Sequence, residues 1–227
     1  MMERVGSKRR SVKALVAALG CVVFGVLPVG QPAAAQEATT SRRIVVLGDS
    51  LSAGYGLAQG TGWVALLDKR IKERKPDYSV ANASISGDTT AGGRSRLPAV
   101  LAREKPAIVI LELGANDALR GLSLASSETN LKAMIEASQA AGAKVLLVGM
   151  RIPPNYGPDY SERFFAMFGK LAQQYHVPFV PFLLDGVVQR QDWFQEDRIH
   201  PVAAAQPVML DNVWPKLEPL LKRGRGH

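Results

Sequence analysis

Cysteine is almost missing from this chain: the single one is Cys21. It sits in an N-terminal segment with a layout of its own. Arg4, Lys8, Arg9, Arg10 and Lys13 form a basic patch, Ala14 to Val29 an apolar run, and Ala33-Ala34-Ala35 a small-residue stretch ahead of Gln36. That is the pattern of a secretory signal peptide over 1–35, cleaved after Ala35. A chain beginning at 36 has no thiol, which excludes disulfides, thiol redox chemistry and a thiolate nucleophile. Ala18-Leu19-Gly20-Cys21 loosely resembles a lipoprotein cleavage box but lacks the usual leucine three residues before the cysteine. Long apolar runs are wanting too. Gly20, Gly25, Pro28 and Gly30 interrupt a stretch already short for a membrane span, which counts against a retained anchor.

Concentrated charge is scarce once that segment is set aside. Five of the 28 Lys and Arg and one of the 20 Asp and Glu lie before residue 36, so the formal +8 falls to +4. The remaining basic residues are scattered apart from 70–75, a solvated helix end, and the tail around 223–227, so no nucleic-acid partner is expected. The glycine-rich bend Gly48 to Gly56 lacks the Gly-Lys-Ser/Thr ending of a phosphate loop and does not fit Gly-x-Gly-x-x-Gly, which counts against a nucleotide. The sequence shows neither an internal repeat nor an interdomain linker.

What is present is an alternation of buried strands and amphipathic helices. After a polar lead-in at 36–41, Arg43-Ile44-Val45-Val46-Leu47 is an apolar, β-branched run that reads as a buried strand ending at Ser50. Trp63, Leu66, Leu67 and Ile71 recur at helical spacing up to Pro76. Tyr78 to Ala83 reads as a second strand. A helix follows over Thr89 to Arg103, with Pro98 as an irregularity. Ala107 to Leu113 is near-continuously apolar, as a strand buried on both faces must be. Leu124 to Ala141 makes a helix closed by Gly142, and Lys144 to Gly149 a fourth strand. The prolines of 152–158 force a loop. Phe164 to Tyr175 is helical, Pro178 to Phe182 a short last strand, and Ala203 to Leu221 a final helix bent or broken at Pro207 and Pro215. Strands alternating with helices predict one three-layer α/β domain over 42–222, with a mainly parallel sheet and right-handed crossovers.

Four loops then fall at one end of that sheet. Ser50 follows the first strand, Gly87 the second and Asn116 the third. Asp197-Arg198-Ile199-His200-Pro201 lies between the last strand and the last helix. Acyl transfer asks for what they carry. A serine hydroxyl attacks at neutral pH only if a base takes its proton, and a neutral imidazole, His200, suits that task. Asp197, three residues earlier, is spaced to reach the Nδ1 proton, orient the ring and stabilise the imidazolium. The backbone N–H groups of Ser50 and Gly87 and the side-chain amide of Asn116 are candidate oxyanion donors. Taken singly, Gly87 reads as a turn glycine, Asn116-Asp117 as an Asx turn, Asp197 as a helix cap and His200 as a surface histidine. Asp49 and Asp117 are expected to organise their loops by accepting backbone N–H groups. His176, at a helix end, and His227, in the tail, lack the acid and the strand-end setting.

Gly48-Asp49-Ser50-Leu51-Ser52, Gly87 in Asn82 to Thr89, Gly114-Ala115-Asn116-Asp117 and Asp197 to Pro201 resemble the four sequence blocks of the GDSL or SGNH hydrolase family. Asn155-Tyr156-Gly157 and Ala205-Gln206-Pro207 extend the likeness toward its secreted bacterial arylesterase, acyl-CoA thioesterase and lysophospholipase branch. The resemblance implies a flavodoxin-like fold with strand order 2-1-3-4-5, Ser50, Asp197 and His200 as the triad, and Gly87 and Asn116 as oxyanion donors. The chain departs from that pattern at Arg198, where glycine is common, and at Val202, where asparagine is common. The second glycine of a Gly-x-Ser-x-Gly elbow is absent, which argues against an α/β-hydrolase.

The expectation is a periplasmic or secreted serine esterase. It would cleave acyl esters and thioesters of small molecules or lipids, with transient lipid contact, as a monomer and without metal or organic cofactor. Leu119, Leu122, Ile152 and Pro153 are the candidate acyl-lining residues. A carbohydrate acetylesterase on the same scaffold and a flavodoxin-like binding module without chemistry stand as alternatives.

Overall fold

The computed structural model describes residues 42–221. The expected signal segment, the lead-in, Cys21 and the basic tail lie outside the described residues. Five parallel strands, β1 (Arg42–Gly48), β2 (Tyr78–Asn82), β3 (Ile108–Glu112), β4 (Lys144–Val148) and β5 (Phe179–Val180), form one sheet in the order β2-β1-β3-β4-β5. Seven α-helices intervene among the described residues: α1 (Ser50–Ala53), α2 (Trp63–Arg74), α3 (Thr90–Glu104), α4 (Ala115–Leu119), α5 (Leu124–Ala140), α6 (Pro158–Tyr175) and α7 (Gln206–Leu217). This is the three-layer α/β architecture and strand order that the sequence led us to expect.

The central strands need burial on both sides. Ile44, Val45, Val46 and Leu47 in β1 are wholly buried, as are Val109, Ile110 and Leu111 in β3. Helices α2 and α7 pack on one another, and α3, α5 and α6 form a second row, so both faces of the sheet are covered. At about 2 kcal/mol for each large apolar side chain taken from water, these central strands supply much of the drive to fold. The order reverses between β1, which pairs with β2, and β3, which runs on to β4 and β5. A crevice therefore opens beyond the carboxyl ends of β1 and β3.

Several boundaries differ from the sequence expectation for identifiable reasons. The first strand stops at Gly48 instead of reaching Ser50. Asp49 accepts the Leu51 N–H through Oδ1 at 3.0 Å, and that cap starts a one-turn helix with Ser50 as its first residue. Helix α3 passes through Pro98 unbroken; the proline faces solvent, where water can satisfy the freed carbonyl. Helix α6 begins at Pro158, six residues before the aromatic repeat shows it, because proline suits a first helical turn. A 3-10 turn, Pro154–Tyr156, occupies part of the expected loop. The final segment divides into a 3-10 turn at Ala203–Ala205, α7, and a 3-10 turn at Glu218–Leu221, with Pro207 accommodated in the first turn of α7. Gly142 lies just past α5 with φ of 81°, as a helix-closing glycine does.

Candidate active site

Ser50 is held at the start of α1 by interactions on both sides of it. The Asp49 cap fixes its entry, and Gly54, at φ of 76°, ends the helix after one turn while its N–H bonds the Ser50 carbonyl at 3.1 Å. Behind the turn stands a buried carboxyl, Glu112, the last residue of β3. Its Oε2 accepts the Ser52 hydroxyl at 2.6 Å and faces the Asp49 N–H at 3.4 Å. A Cβ on Gly48 would fall 2.6 Å from that same oxygen, so only glycine lets β1 end this close to Glu112. Burial drives the carboxyls on this side upward: Asp49 to about 6, and Glu112, next to Asp49, well above the ordinary range.

His200 comes from a different kind of structure. Phe194 and Pro201 form an isolated antiparallel bridge, the Gln195 N–H donates to the His200 carbonyl at 2.8 Å, and the Arg198 N–H donates to the Gln195 carbonyl at 2.9 Å. Inside this tight loop Asp197 Oδ1 accepts the N–H groups of Ile199 and His200 at 2.9 and 3.0 Å. Its Oδ2 lies 2.6 Å from His200 Nδ1. A carboxylate only accepts, so Nδ1 carries the proton and Nε2 is left as an acceptor. That Nε2 is 2.8 Å from Ser50 Oγ. Although burial pushes Asp197 up, the N–H groups and the imidazole outweigh it and hold the carboxylate down at about 2.

The structure thus brings Ser50, His200 and Asp197 into one hydrogen-bonded chain. Arg198 bridges the loop with a φ of 57°, the left-handed region that glycine favours. This supplies the physical reason why glycine is common at that place in the resembled family. Tyr55 lies against the imidazole with ring centroids 4.5 Å apart. The Gln195 side-chain amide donates to the Tyr55 carbonyl at 2.9 Å and so ties the histidine loop to the segment after α1.

Asn116, in α4, donates through Nδ2 to Asp49 Oδ2 at 3.1 Å and to the Asp88 carbonyl at 3.0 Å. Both neighbours are pure acceptors, which fixes the NH2 end of the amide toward the site. The N–H groups of Ser50 and Gly87 have no hydrogen-bond partner among the described residues. Gly87 turns at φ of 79° and gives its carbonyl to Arg120 at 2.9 Å. Arg96 braces this corner. Its guanidinium pairs with Asp88 at 2.8 Å and donates to the carbonyls of Ala83 and Gly48. Asp117, by contrast, serves structure: it accepts the Thr90 N–H at 2.8 Å and the Ser127 hydroxyl at 3.0 Å.

A cavity of about 980 Å3 opens beside Ser50, Asn116 and His200. Leu119, Ile152, Pro153, Phe182, Leu184 and Phe194 line its apolar wall. Of the four acyl-lining candidates, Leu122 is not on that wall. It is exposed to solvent, and its carbonyl is taken by the Tyr160 hydroxyl at 2.8 Å. Gly87 is not part of the apolar wall; it immediately precedes Asp88, whose carbonyl accepts from Asn116, so its free N–H stands beside that amide at the edge of the site. Phe182, Leu184 and Phe194 escaped the sequence reasoning because nothing in it gave the direction of the chain after β5. Glu112 escaped it as well, although a lone carboxylate in an otherwise apolar buried run was the available signal. No cluster of three or more His, Cys, Asp and Glu side chains able to hold a metal ion occurs among the described residues.

A family model described as GDSL-like Lipase/Acylhydrolase matches residues 46–206. The chain belongs to that family. It is 52% identical to a protein of Pseudomonas aeruginosa named Esterase TesA, over 89% of this chain and 96% of that one. It is 42% identical to Thioesterase 1/protease 1/lysophospholipase L1 of Escherichia coli strain K12, over 82% of this chain and 88% of the relative. A solved structure of TesA superposes with a TM-score of 0.77 at 54% identity, covering 79% of this chain and 99% of that one. This GDSL-family hydrolase therefore shares both sequence and fold with proteins named as esterases.

Proposed function

We propose that this chain is a secreted serine esterase that hydrolyses carboxylic acyl esters and acyl thioesters through an acyl-serine intermediate. The observation that carries the proposal is the 2.8 Å contact of Ser50 Oγ with a His200 ring whose other nitrogen is 2.6 Å from Asp197. Ser50 Oγ attacks the acyl carbon while His200 Nε2 takes the hydroxyl proton, and the charged Asp197 stabilises the imidazolium. The carbonyl oxygen becomes an oxyanion. It is received by the free N–H groups of Ser50 and Gly87 and by the Asn116 amide, which shifts one of its two present bonds to reach it. As the intermediate collapses, His200 gives the proton to the departing alkoxide or thiolate, leaving acyl-Ser50. Water then attacks the acyl carbon, its proton passes to Nε2, and collapse returns that proton to Ser50 Oγ as the carboxylic acid departs.

The apolar cavity wall favours an acyl chain over a sugar, and hence an acyl esterase over a carbohydrate acetylesterase. A small-molecule ester or a lipid in transient contact is the substrate class, and the enzyme acts as a monomer without nucleic acid, metal or cofactor. The N-terminal pattern supports export to the periplasm or beyond after cleavage near Ala35. Labelling with a fluorophosphonate tests the assignment. We expect modification at Ser50 alone, and its absence with retained ester hydrolysis would remove Ser50 from the mechanism. Rates on p-nitrophenyl esters of increasing chain length, set beside acetylated sugars, separate the acyl from the carbohydrate reading.

A further inference from the structure

Single exposed apolar side chains are ordinary on protein surfaces and need no explanation, but their distribution here does. The large apolar residues left 42–53% exposed among the described residues are Tyr55, Ile85, Leu122, Tyr156, Val188 and Ile199. Every one lies in a segment that leaves the carboxyl end of a strand: Tyr55 after β1, Ile85 after β2, Leu122 after β3, Tyr156 after β4, Val188 and Ile199 after β5. The returns from helix to strand at the opposite end, 75–77, 105–107, 141–143 and 176–178, carry none. All five outgoing connections thus contribute to one apolar rim, the rim around the cavity mouth. Tyr156, Val188 and Ile199 also line the cavity, and Tyr55 packs against His200 with the two rings tilted by 42°.

Cations accompany them. Arg120, Arg151 and Arg198 are exposed on the same connections, and none has a carboxylate within ion-pair distance among the described residues. Arg120 is tied only to the Gly87 carbonyl, and Arg151 lies 3.5 Å over the Phe165 ring. Of the carboxylates on these connections, Asp88 is engaged by Arg96, Asp192 by Arg190 and Asp197 by His200, while the exposed Asp185 and Glu196 oppose the three arginines, which still outnumber them. Apolar side chains at the level of exposed arginines are what a protein lying on a phosphate-bearing interface presents. The former enter the acyl boundary and the latter meet the headgroups. A protein partner would call for a contiguous patch, whereas this ring surrounds an open cavity.

We propose that the carboxyl-end rim docks on the surface of a phospholipid bilayer, so that a single-chain acyl lipid passes from the bilayer into the cavity without crossing water. The proposal rests on the esterase reading for what happens in the cavity, but not for the docking itself. Ile85 and Leu122 allow the two to be separated, because both are on the rim and neither lines the cavity.

Flotation of the processed, secreted chain with vesicles of phosphatidylcholine, and of phosphatidylcholine with added phosphatidylglycerol, tests the docking. We expect the chain to float with both and more strongly with the acidic vesicles. The double substitution Ile85→Ser with Leu122→Ser should lower the bound fraction about tenfold, since binding scales with the apolar area inserted. It should leave hydrolysis of soluble p-nitrophenyl acetate within twofold of wild type. A wild-type chain that stays with the aqueous phase overturns the docking, and so does a double variant that floats equally well. Sedimentation velocity supplies the remaining arm: a wild-type dimer that the double variant dissociates makes the rim an interface between copies and also overturns it. Failure to hydrolyse the soluble ester strikes the esterase reading alone.

Discussion

Asp49 and Asp197 flank the same reactive pair, yet their surroundings push them in opposite directions. Asp49 precedes Ser50 in a turn that closes on the sheet; it is 1% exposed, and burial raises it to about 6. Asp197 precedes His200 in an irregular, exposed loop, where two backbone N–H groups and the imidazole hold it near 2. The nucleophile is thus positioned by the core, through Gly48, Glu112 and Ser52. The base is positioned by the local hydrogen bonds of its own loop. A rigid side and a self-organised side meet at one 2.8 Å contact. Positional accuracy on the first side is inherited from packing, and on the second it depends on a few bonds and one strained residue.

The largest effects come from cutting the contact itself. Ser50→Ala and His200→Ala are each expected to lower kcat by about 10^4-fold or more, with the double variant little worse than either, because the two act as one unit. Steady-state rates on a soluble ester, with thermal unfolding as the control for folding, read this. Additive losses would mean that the two sides do not work as a pair. Next comes the residue that joins the rigid side to the oxyanion. Asn116→Ala should cost about 10^2- to 10^3-fold in kcat with little change in KM, since its amide acts on charge that exists only in the transition state. A loss confined to KM would move Asn116 from oxyanion stabilisation to ground-state binding.

The opposed aspartates predict opposed pH dependences of stability. The folded state binds a proton at Asp49 more tightly than the unfolded chain, whose carboxyl titrates near 3.8. Its stabilising contribution is therefore complete below about pH 4 and is lost as pH rises through about 6, a change on the order of 2–3 kcal/mol. Glu112 acts in the same sense. Asp197 acts in the reverse sense: its contribution is present above its unfolded value and is lost as pH falls toward 2. Urea unfolding at about pH 4.5, 6 and 7.5 should show wild-type stability declining across this window. Asp49→Asn, which keeps the helix cap, should flatten the decline. An unchanged slope in that variant would place the titration elsewhere.

The same contrast explains what the sequence made legible. Strands β1 and β3 stand out because burial on both faces demands runs such as Ile44 to Leu47, and the position of Ser50 at a strand end follows from them. His200 was recognisable because imidazole is one of few side chains suited to take the proton, and because Asp197 sits at the right spacing. What stayed hidden depends on direction in space. Glu112 looks like a blemish in an apolar strand until Ser52 and the Asp49 N–H are seen to converge on it. Position after β3 points Leu122 to the cavity, yet its side chain stands in solvent, off the cavity wall, and the Tyr160 hydroxyl donates to its carbonyl. Helix α1 is too short for periodicity to register at all.

Arg198→Gly sharpens the comparison at its smallest scale. Arg198 holds a left-handed conformation, costing about 1–2 kcal/mol in a residue with a Cβ, and glycine removes that cost. Glycine also gives the unfolded chain more freedom, which takes back about 0.4–1 kcal/mol, so the net gain should be about 0.5 kcal/mol. Thermal unfolding should rise by about 1–2 °C, and kcat on a soluble ester should change less than twofold, because Asp197 and His200 keep the bonds that define their loop. A marked fall in kcat with raised stability would carry a different meaning: the arginine side chain, which lines the cavity, would then be acting on the substrate, not on the backbone that carries it.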